Sequence, residues 1–234
     1  MFLILLKLIW VVVQALFTIG ILLFLLGVAR LLYGWRVRYS GPLDSRFRGN
    51  DTGWQNILRK GDIILTGKQS IFHSFCIQLA NVLTRKIKHR FWTHAVIYQG
   101  EGKVWEARST GVKERDLSEY IRAGYYVRAF RHRYISKDEI LDKVIRFCAS
   151  KKGIGYDLRG AVFYGVSVFV PVGFDFLFDN PAVDKLFQVE NTYFCSELIV
   201  DAFCDAGYPI SPFDGWRVKP ADFIGNPLLN EVGS

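Results

Sequence analysis

The chain has 234 residues, half of them hydrophobic, and its 30 Lys and Arg exceed its 22 Asp and Glu by eight. Because charged residues make up only 22% of a chain this apolar, the composition excludes a largely disordered protein. Four cysteines are too few for a small scaffold held together by disulfides, and the length suits one ordinary domain with a short extra element.

The first predicted element is a run without charged residues from Leu8 to Ala29. As an α-helix it would be about 33 Å long, which matches the hydrocarbon thickness of a bilayer. The alternative is a cleaved signal peptide that ends at the small residues Gly27 to Ala29. Since the run exceeds the roughly 7–15 apolar residues typical of such peptides, we predict a retained single-pass transmembrane anchor within residues 1–35.

Cations flank this run unevenly. Only Lys7 precedes it, whereas five arginines follow it, at Arg30, Arg36, Arg38, Arg46 and Arg48. Segments rich in Lys and Arg tend to stay on the cytoplasmic side of a membrane, so we expect a cytoplasmic rather than a periplasmic domain. Residues 36–54 contain many Gly, Asp and Ser and read as a linker, which leaves residues 55–234 as a single domain.

Within that domain, β-branched and aromatic residues predict strands over 62–66, 93–98, 103–107 and 125–130. Apolar residues at helical spacing predict helices over 70–83, 137–150 and 192–204, and the whole order indicates an α+β fold. An uncharged run from Ala161 to Phe174 is too short to span a bilayer. It is either a buried core helix, or an apolar wall for a lipid chain or a surface that dips into the membrane.

Two basic clusters lie in the domain. The first runs from Arg85 to Arg90, and the second contains Arg128, Arg131 and Arg133. Such clusters bind nucleic acid or anionic lipid, or simply face solvent. Because the chain carries no nucleic-acid-binding motif and is predicted to be tethered to a membrane, we expect the lipid bilayer, and no nucleic acid, as its partner.

Cys195 is the candidate nucleophile. If Asn191 or Thr192 caps the predicted helix, Cys195 lies in its first turn, where unpaired amides and the helix dipole favour a thiolate. The other cysteines, Cys76, Cys148 and Cys204, fall at middle or late helix positions, which is typical of small core residues.

His94 is the candidate base, because a hairpin centred on Gly100 places it directly opposite Glu106. Opposite residues share a face with Cβ atoms about 5 Å apart, so a carboxylate there can orient an imidazole and favour its charged form. The other histidines, His73, His89 and His132, have neighbours typical of surface positions. We find no metal-ligand spacing, glycine-rich phosphate loop or Gly-x-Ser-x-Gly motif, and therefore expect no metal or organic cofactor.

Five segments resemble, in this order, the circularly permuted NlpC-type papain-like cysteine hydrolases, in the branch that includes the YiiX-like proteins. They are Gly61 to Leu65, Thr93 to Tyr98, Val104 to Ala107, Tyr193 to Leu198 and Lys219 to Asp222. The resemblance covers roughly residues 55–225 and implies an antiparallel sheet packed on helices. It also implies that Cys195 is the nucleophile, His94 the base and Glu106 the residue that orients the base.

The related lecithin–retinol acyltransferase-like branch shares the permuted order and acts on lipids, but typically has a second histidine where this chain has Glu106. The resemblance implies a thiol hydrolase or acyltransferase that cleaves an amide or ester bond through a thioester, and the separately predicted anchor makes it membrane-anchored. The substrate class stays open among a lipid, a lipidated protein and a peptide. The alternative is a non-catalytic membrane-bound module of the same fold that binds lipid or peptide.

Overall fold

The computed structural model describes residues 56–68, 91–122, 125–157 and 192–233, with isolated positions at 10, 14, 15, 18–22, 25, 77, 78 and 89. The predicted linker at 36–54 and the uncharged run at 161–174 lie outside the described residues. So do most of the predicted helix at 70–83 and almost all of the first basic cluster.

In the described part of the chain, six strands form one antiparallel sheet: β1 (Ile63–Gly67), β2 (Trp92–Gly100), β3 (Lys103–Arg108), β4 (Gly111–Asp116), β5 (Tyr126–His132) and β8 (Leu229–Glu231). Their order across the sheet is β4-β3-β2-β1-β5-β8. A second sheet pairs two short parallel strands, β6 (Gly155–Tyr156) and β7 (Thr192–Tyr193).

The described helices are α1 (Ser118–Arg122), α2 (Asp138–Ser150) and α3 (Cys195–Asp205), and two 3₁₀ turns follow at Gly215–Arg217 and Pro220–Phe223. This architecture confirms the predicted α+β class. The helix predicted from residue 192 begins three residues later, because Thr192 and Tyr193 pair in β7 instead.

β1 lies inside the sheet, between β2 and β5, and all five of its residues are buried. Ile63 and Leu65 belong to one apolar cluster, whereas Ile64 between them belongs to another. Because side chains alternate across a strand, both faces of the sheet are covered here. This explains why the sequence of β1 is a continuous apolar run rather than an alternating one.

The larger cluster joins one face of the sheet to α2 and α3, with Val144, Leu198 and Phe203 fully buried. The smaller cluster covers the opposite face, where Leu117 and Tyr120 pack beside Val96. The sheet is therefore a central layer. α3 packs on one face through the larger cluster, and α1 packs on the opposite face through the smaller cluster.

The described positions of the predicted anchor are helical, and the Thr18 hydroxyl donates a hydrogen bond to the Gln14 carbonyl at 2.8 Å. Among the described residues, no helix reaches the length and hydropathy that a bilayer crossing requires. The remaining positions of residues 1–35 lie outside the described part of the chain.

The second basic cluster is mostly engaged in side-chain pairs. Arg128 donates two hydrogen bonds to the Glu231 carboxylate, at 2.7 and 2.5 Å. Arg131 donates two to the buried Asp62, at 2.8 and 2.7 Å, where burial raises the Asp62 pKa although Arg131 opposes it. This cluster therefore carries less free positive charge for lipid headgroups than its sequence indicates.

We expect Gly67→Ala to destabilise the fold by about 2–3 kcal/mol, because a Cβ there would overlap the backbone carbonyl oxygen of Phe91. The matched control is Gly153→Ala. Gly153 has φ of 83° but open space around its Cβ position, so we expect a loss of about 1 kcal/mol. Urea unfolding measures both free energies, and equal losses would contradict the steric explanation.

Candidate active site

Three elements bring the three predicted site residues together. His94 lies on β2, Glu106 on β3 and Cys195 at the start of α3. The His94 Nε2 atom is 2.8 Å from Glu106 Oε2, and the imidazole also interacts electrostatically with Cys195. α1 adds a residue that the sequence analysis missed, Tyr120, whose hydroxyl is 3.1 Å from His94 Nε2.

The predicted hairpin register is wrong by two residues. Ile97 pairs with Trp105 and Tyr98 with Val104, so Glu106 is a diagonal neighbour of His94 rather than its direct partner. The turn residues Glu101 and Gly102 have φ of 54° and 76°, which is typical of a two-residue type I′ turn. A shift of two keeps both side chains on the same face, and diagonal neighbours remain within reach of long side chains.

An irregularity in the sheet comes directly before His94. Across β1 and β2, Thr66 pairs with His94, but the next residue, Gly67, pairs with Trp92. Thr93 therefore has no counterpart on β1, which makes it the extra residue of a bulge. Bulges are frequent beside active sites because they change the direction in which a side chain points.

Glu106 is 1% exposed and is surrounded by donors. Its Oε2 atom accepts hydrogen bonds from His94 and from the Tyr120 hydroxyl, and it lies 3.2 Å from the Arg108 Nε atom. Its Oε1 atom lies 2.5 Å from the Arg115 Nε atom. A buried carboxylate with this many partners stays ionised and fixed in orientation.

The sequence patterns do not mark Arg115 because they do not predict β4, whereas Arg108 lies on β3, two residues after Glu106 and one residue beyond the predicted strand. In the observed register Lys113 is opposite Glu106 and Arg115 is opposite Val104, so Arg115 reaches the carboxylate diagonally. The segment Gly111–Asp116 carries four charged residues and one apolar side chain, which is atypical of a strand. Basic residues (Lys113 and Arg115) alternate with acidic residues (Glu114 and Asp116), so neither face of this segment has the apolar side chains that predict a strand.

Charges around His94 favour its protonated form. Burial lowers the His94 pKa, but Cys195 and then Glu106 outweigh this effect and raise it to about 9. Burial likewise raises the Glu106 pKa, but hydrogen bonds from His94 and Tyr120 and the charge of Arg108 hold it below its usual value. The pair is thus an imidazolium beside a carboxylate at neutral pH.

Cys195 is the first residue of α3, and it is 1% exposed. The predicted side-chain cap from Asn191 or Thr192 is wrong for Thr192, which lies in β7, and Asn191 is outside the described residues. Phe194 takes the cap position with extended backbone. Its amide donates a 2.9 Å hydrogen bond to the carboxylate of Glu197, whose pKa burial raises to about 8.

Other predicted positions divide between core and surface. Cys148 is buried, as predicted, and burial raises the pKa of its thiol, whereas Cys204 is exposed, which corrects its assignment to the core. His132 is 6% exposed and stacks on Phe203, so its assignment to the surface is wrong. Burial lowers the His132 pKa, which favours a neutral packing role.

No protein-family model matches the chain, and no curated protein matches it. Among solved structures it is similar to the crystal structure of the metalloprotein YiiX from Escherichia coli O157:H7, a protein of the class DUF1105. The TM-score is 0.51 at 18% sequence identity, and the alignment covers 76% of this chain and 98% of that one. At this identity the likeness shows a YiiX-like fold and nothing about activity.

We expect His94 to titrate near pH 9 in the folded protein, and Glu106→Gln to lower its pKa because the variant loses the carboxylate charge. NMR titration of the imidazole signals measures both values. The control is Glu114→Gln, which removes a carboxylate of β4 that pairs with Lys103 instead. An unchanged His94 pKa in Glu106→Gln would contradict the electrostatic account.

The same shift predicts how stability depends on pH. Since the folded-state pKa of His94 is above its usual 6.5, its stabilising contribution is fully present below about pH 6.5 and is lost as pH rises toward about 9. Urea unfolding at several pH values tests this, with Glu106→Gln expected to reduce the loss across that range. A His94 contribution that grows with rising pH would contradict the sign.

Proposed function

We propose that the chain is a cysteine hydrolase or acyltransferase that cleaves an amide or ester bond through Cys195, His94 and Glu106. The observation that carries this proposal is the position of the His94 imidazole. Its Nε2 atom bonds a buried carboxylate, and the ring interacts electrostatically with Cys195 at the start of α3. A nucleophile, a base and a group that orients the base are what acyl transfer by a thiol requires.

In the proposed mechanism, the His94 Nδ1 atom serves the thiol, because Nε2 is engaged by Glu106 and Tyr120. In the imidazolium form of His94 this nitrogen holds the proton given up by Cys195, and the thiolate of the resulting ion pair adds to the substrate carbonyl carbon. When the tetrahedral intermediate collapses, His94 returns the proton to the leaving amine or alcohol. Water or another acceptor, deprotonated by His94, then attacks the thioester and releases the Cys195 thiol.

The start of α3 supplies the electrostatic support for this chemistry. The first amide of α3 with an intrahelical acceptor near this end is Leu198, which donates to the Phe194 carbonyl at 3.1 Å. Amides of the preceding turn, including that of Cys195, have no carbonyl within the helix to bind. The Cys195 amide is therefore the proposed donor to the oxyanion of the tetrahedral intermediate.

The permuted papain-like assignment belongs to the proposal. It is supported by the chain order, in which the strand with His94 precedes the helix with Cys195, and by the likeness to the YiiX fold. That neighbour is described as a metalloprotein. The described residues of this chain hold no group of three His, Cys, Asp or Glu side chains that fits a metal ion, so we derive no metal-dependent step.

A membrane location is also part of the proposal. The described helical positions in residues 1–35 expose large apolar side chains, with Trp10 at 64% and Leu22 and Leu25 each at 55%. Such side chains suit contact with lipid rather than water. Together with the arginines after this run, they favour a cytoplasmic domain whose substrate is an inner-leaflet lipid or a lipidated protein, ahead of a peptide.

We expect Cys195→Ala to abolish turnover of amide and ester probes while thermal unfolding stays cooperative, because the thioester cannot form. The matched control is Cys204→Ala, which removes an exposed thiol from the same helix and should retain full turnover. Turnover by Cys195→Ala would overturn the proposed function. Absence of turnover in the unaltered protein across amide and ester probes would favour the binding module instead.

A topology reporter fused after Ser234 tests the location. We expect a cytoplasmic reporter to be active, because five arginines follow the predicted anchor and only Lys7 precedes it. Activity of a periplasmic reporter at the same position would exclude an inner-leaflet substrate and make a peptide outside the cytoplasm the preferred one.

A further inference from the structure

We propose that Tyr120 is a positioning residue that determines which nitrogen of His94 carries the proton and which one faces the Cys195 thiol. The inference rests on the proposed function for its catalytic consequence. It begins from three contacts that form a closed triangle. His94 Nε2 is 2.8 Å from Glu106 Oε2 and 3.1 Å from the Tyr120 hydroxyl, and that hydroxyl donates to the same Glu106 oxygen.

The proton count in this triangle has one solution. An ionised carboxylate accepts hydrogen bonds and donates none, and the pKa of Glu106 is lowered, so Oε2 is an acceptor. The Tyr120 hydroxyl has a single proton, which it donates to Oε2. Burial and the Glu106 charge raise the Tyr120 pKa, so this proton is retained across the working pH range.

Toward His94 the Tyr120 hydroxyl therefore presents only a lone pair. The Nε2 atom faces two acceptors at once, which requires a proton on Nε2 in both charge states of the ring. In the neutral imidazole the lone pair is then on Nδ1, the nitrogen available to the thiol. Without the hydroxyl, Nε2 would have a single acceptor, and Glu106 Oε2 would lose the donor that fixes its position.

The Tyr120 ring is held independently of its hydroxyl. It stacks on His94 with centroids 6.0 Å apart, meets Tyr125 edge-on at 5.6 Å and lies 5.1 Å from the Arg108 guanidinium carbon. Phenylalanine preserves all three ring contacts. Tyr120→Phe therefore removes the hydrogen bonds of the triangle and leaves the packing that surrounds it.

The experiment compares the full chain with Tyr120→Phe by ¹⁵N NMR of the imidazole above pH 9 and by steady-state kinetics on an ester probe. In the unaltered protein we expect neutral His94 with its proton on Nε2. In Tyr120→Phe we expect a mixture of the two tautomers, and a kcat about tenfold lower at unchanged KM, since one hydrogen bond near the reacting groups is lost.

The control is Tyr98→Phe. Tyr98 is a buried tyrosine of the same apolar cluster, and its hydroxyl accepts a 3.0 Å hydrogen bond from the Gly102 amide in the hairpin. Its loss should lower the free energy of unfolding without changing the His94 tautomer or kcat. Equal kinetic losses in both variants would overturn the proposal, because they would reflect stability alone.

Two further outcomes are decisive. Neutral His94 with its proton on Nδ1 in the unaltered protein would overturn the proposal without any variant, even if Tyr120→Phe failed to fold. The unaltered protein could also lack turnover of the probe while its His94 tautomer still changes in Tyr120→Phe. This result would refute the proposed hydrolase or transferase activity and support the positioning role of Tyr120. The NMR measurement thus separates the two hypotheses.

Discussion

The candidate site depends on one buried negative charge. Glu106 is 1% exposed, and an ionised carboxylate in such a place is stable only when its oxygens have strong partners. Those partners come from three further elements of the fold: β2 contributes His94, α1 contributes Tyr120 and β4 contributes Arg115. Pairing this one carboxylate therefore fixes the relative positions of the groups that surround Cys195.

The layered fold explains how a helix of one cluster brings its first residue toward an imidazole that contacts the other. α3 packs within the larger apolar cluster, whereas Tyr120, which bonds His94, belongs to the smaller one. The bulge at Thr93 lies directly before His94, where β2 departs from regular pairing with β1. Since β1 is buried on both faces, it holds this irregular part of the sheet in place.

Sequence patterns predicted the elements with a strong apolar pattern. They failed where the secondary structure or the register of a segment depends on its pairing with another strand. The apolar run of β1 and the amphipathic pattern of α2 were sufficient to predict both, but the charged β4 becomes a strand only through its pairing with β3. Hairpin register depends on turn geometry, which the loop Gly100 to Gly102 did not reveal. Arg115 reaches the site through the pairing of β4 with β3, and Tyr120 comes from α1, so no local motif marks either of them.

Burial of Cys195 has a consequence for how the site is reached. A side chain that is 1% exposed is shielded from peroxide and from bulky electrophiles, so the sulfur is protected from accidental oxidation. Under the proposed function, reaction with an acyl donor then requires a transient opening of the shell that contains Ile77 and Phe194. Comparing inactivation by small and large thiol reagents of equal intrinsic reactivity would report how often, and how widely, that shell opens.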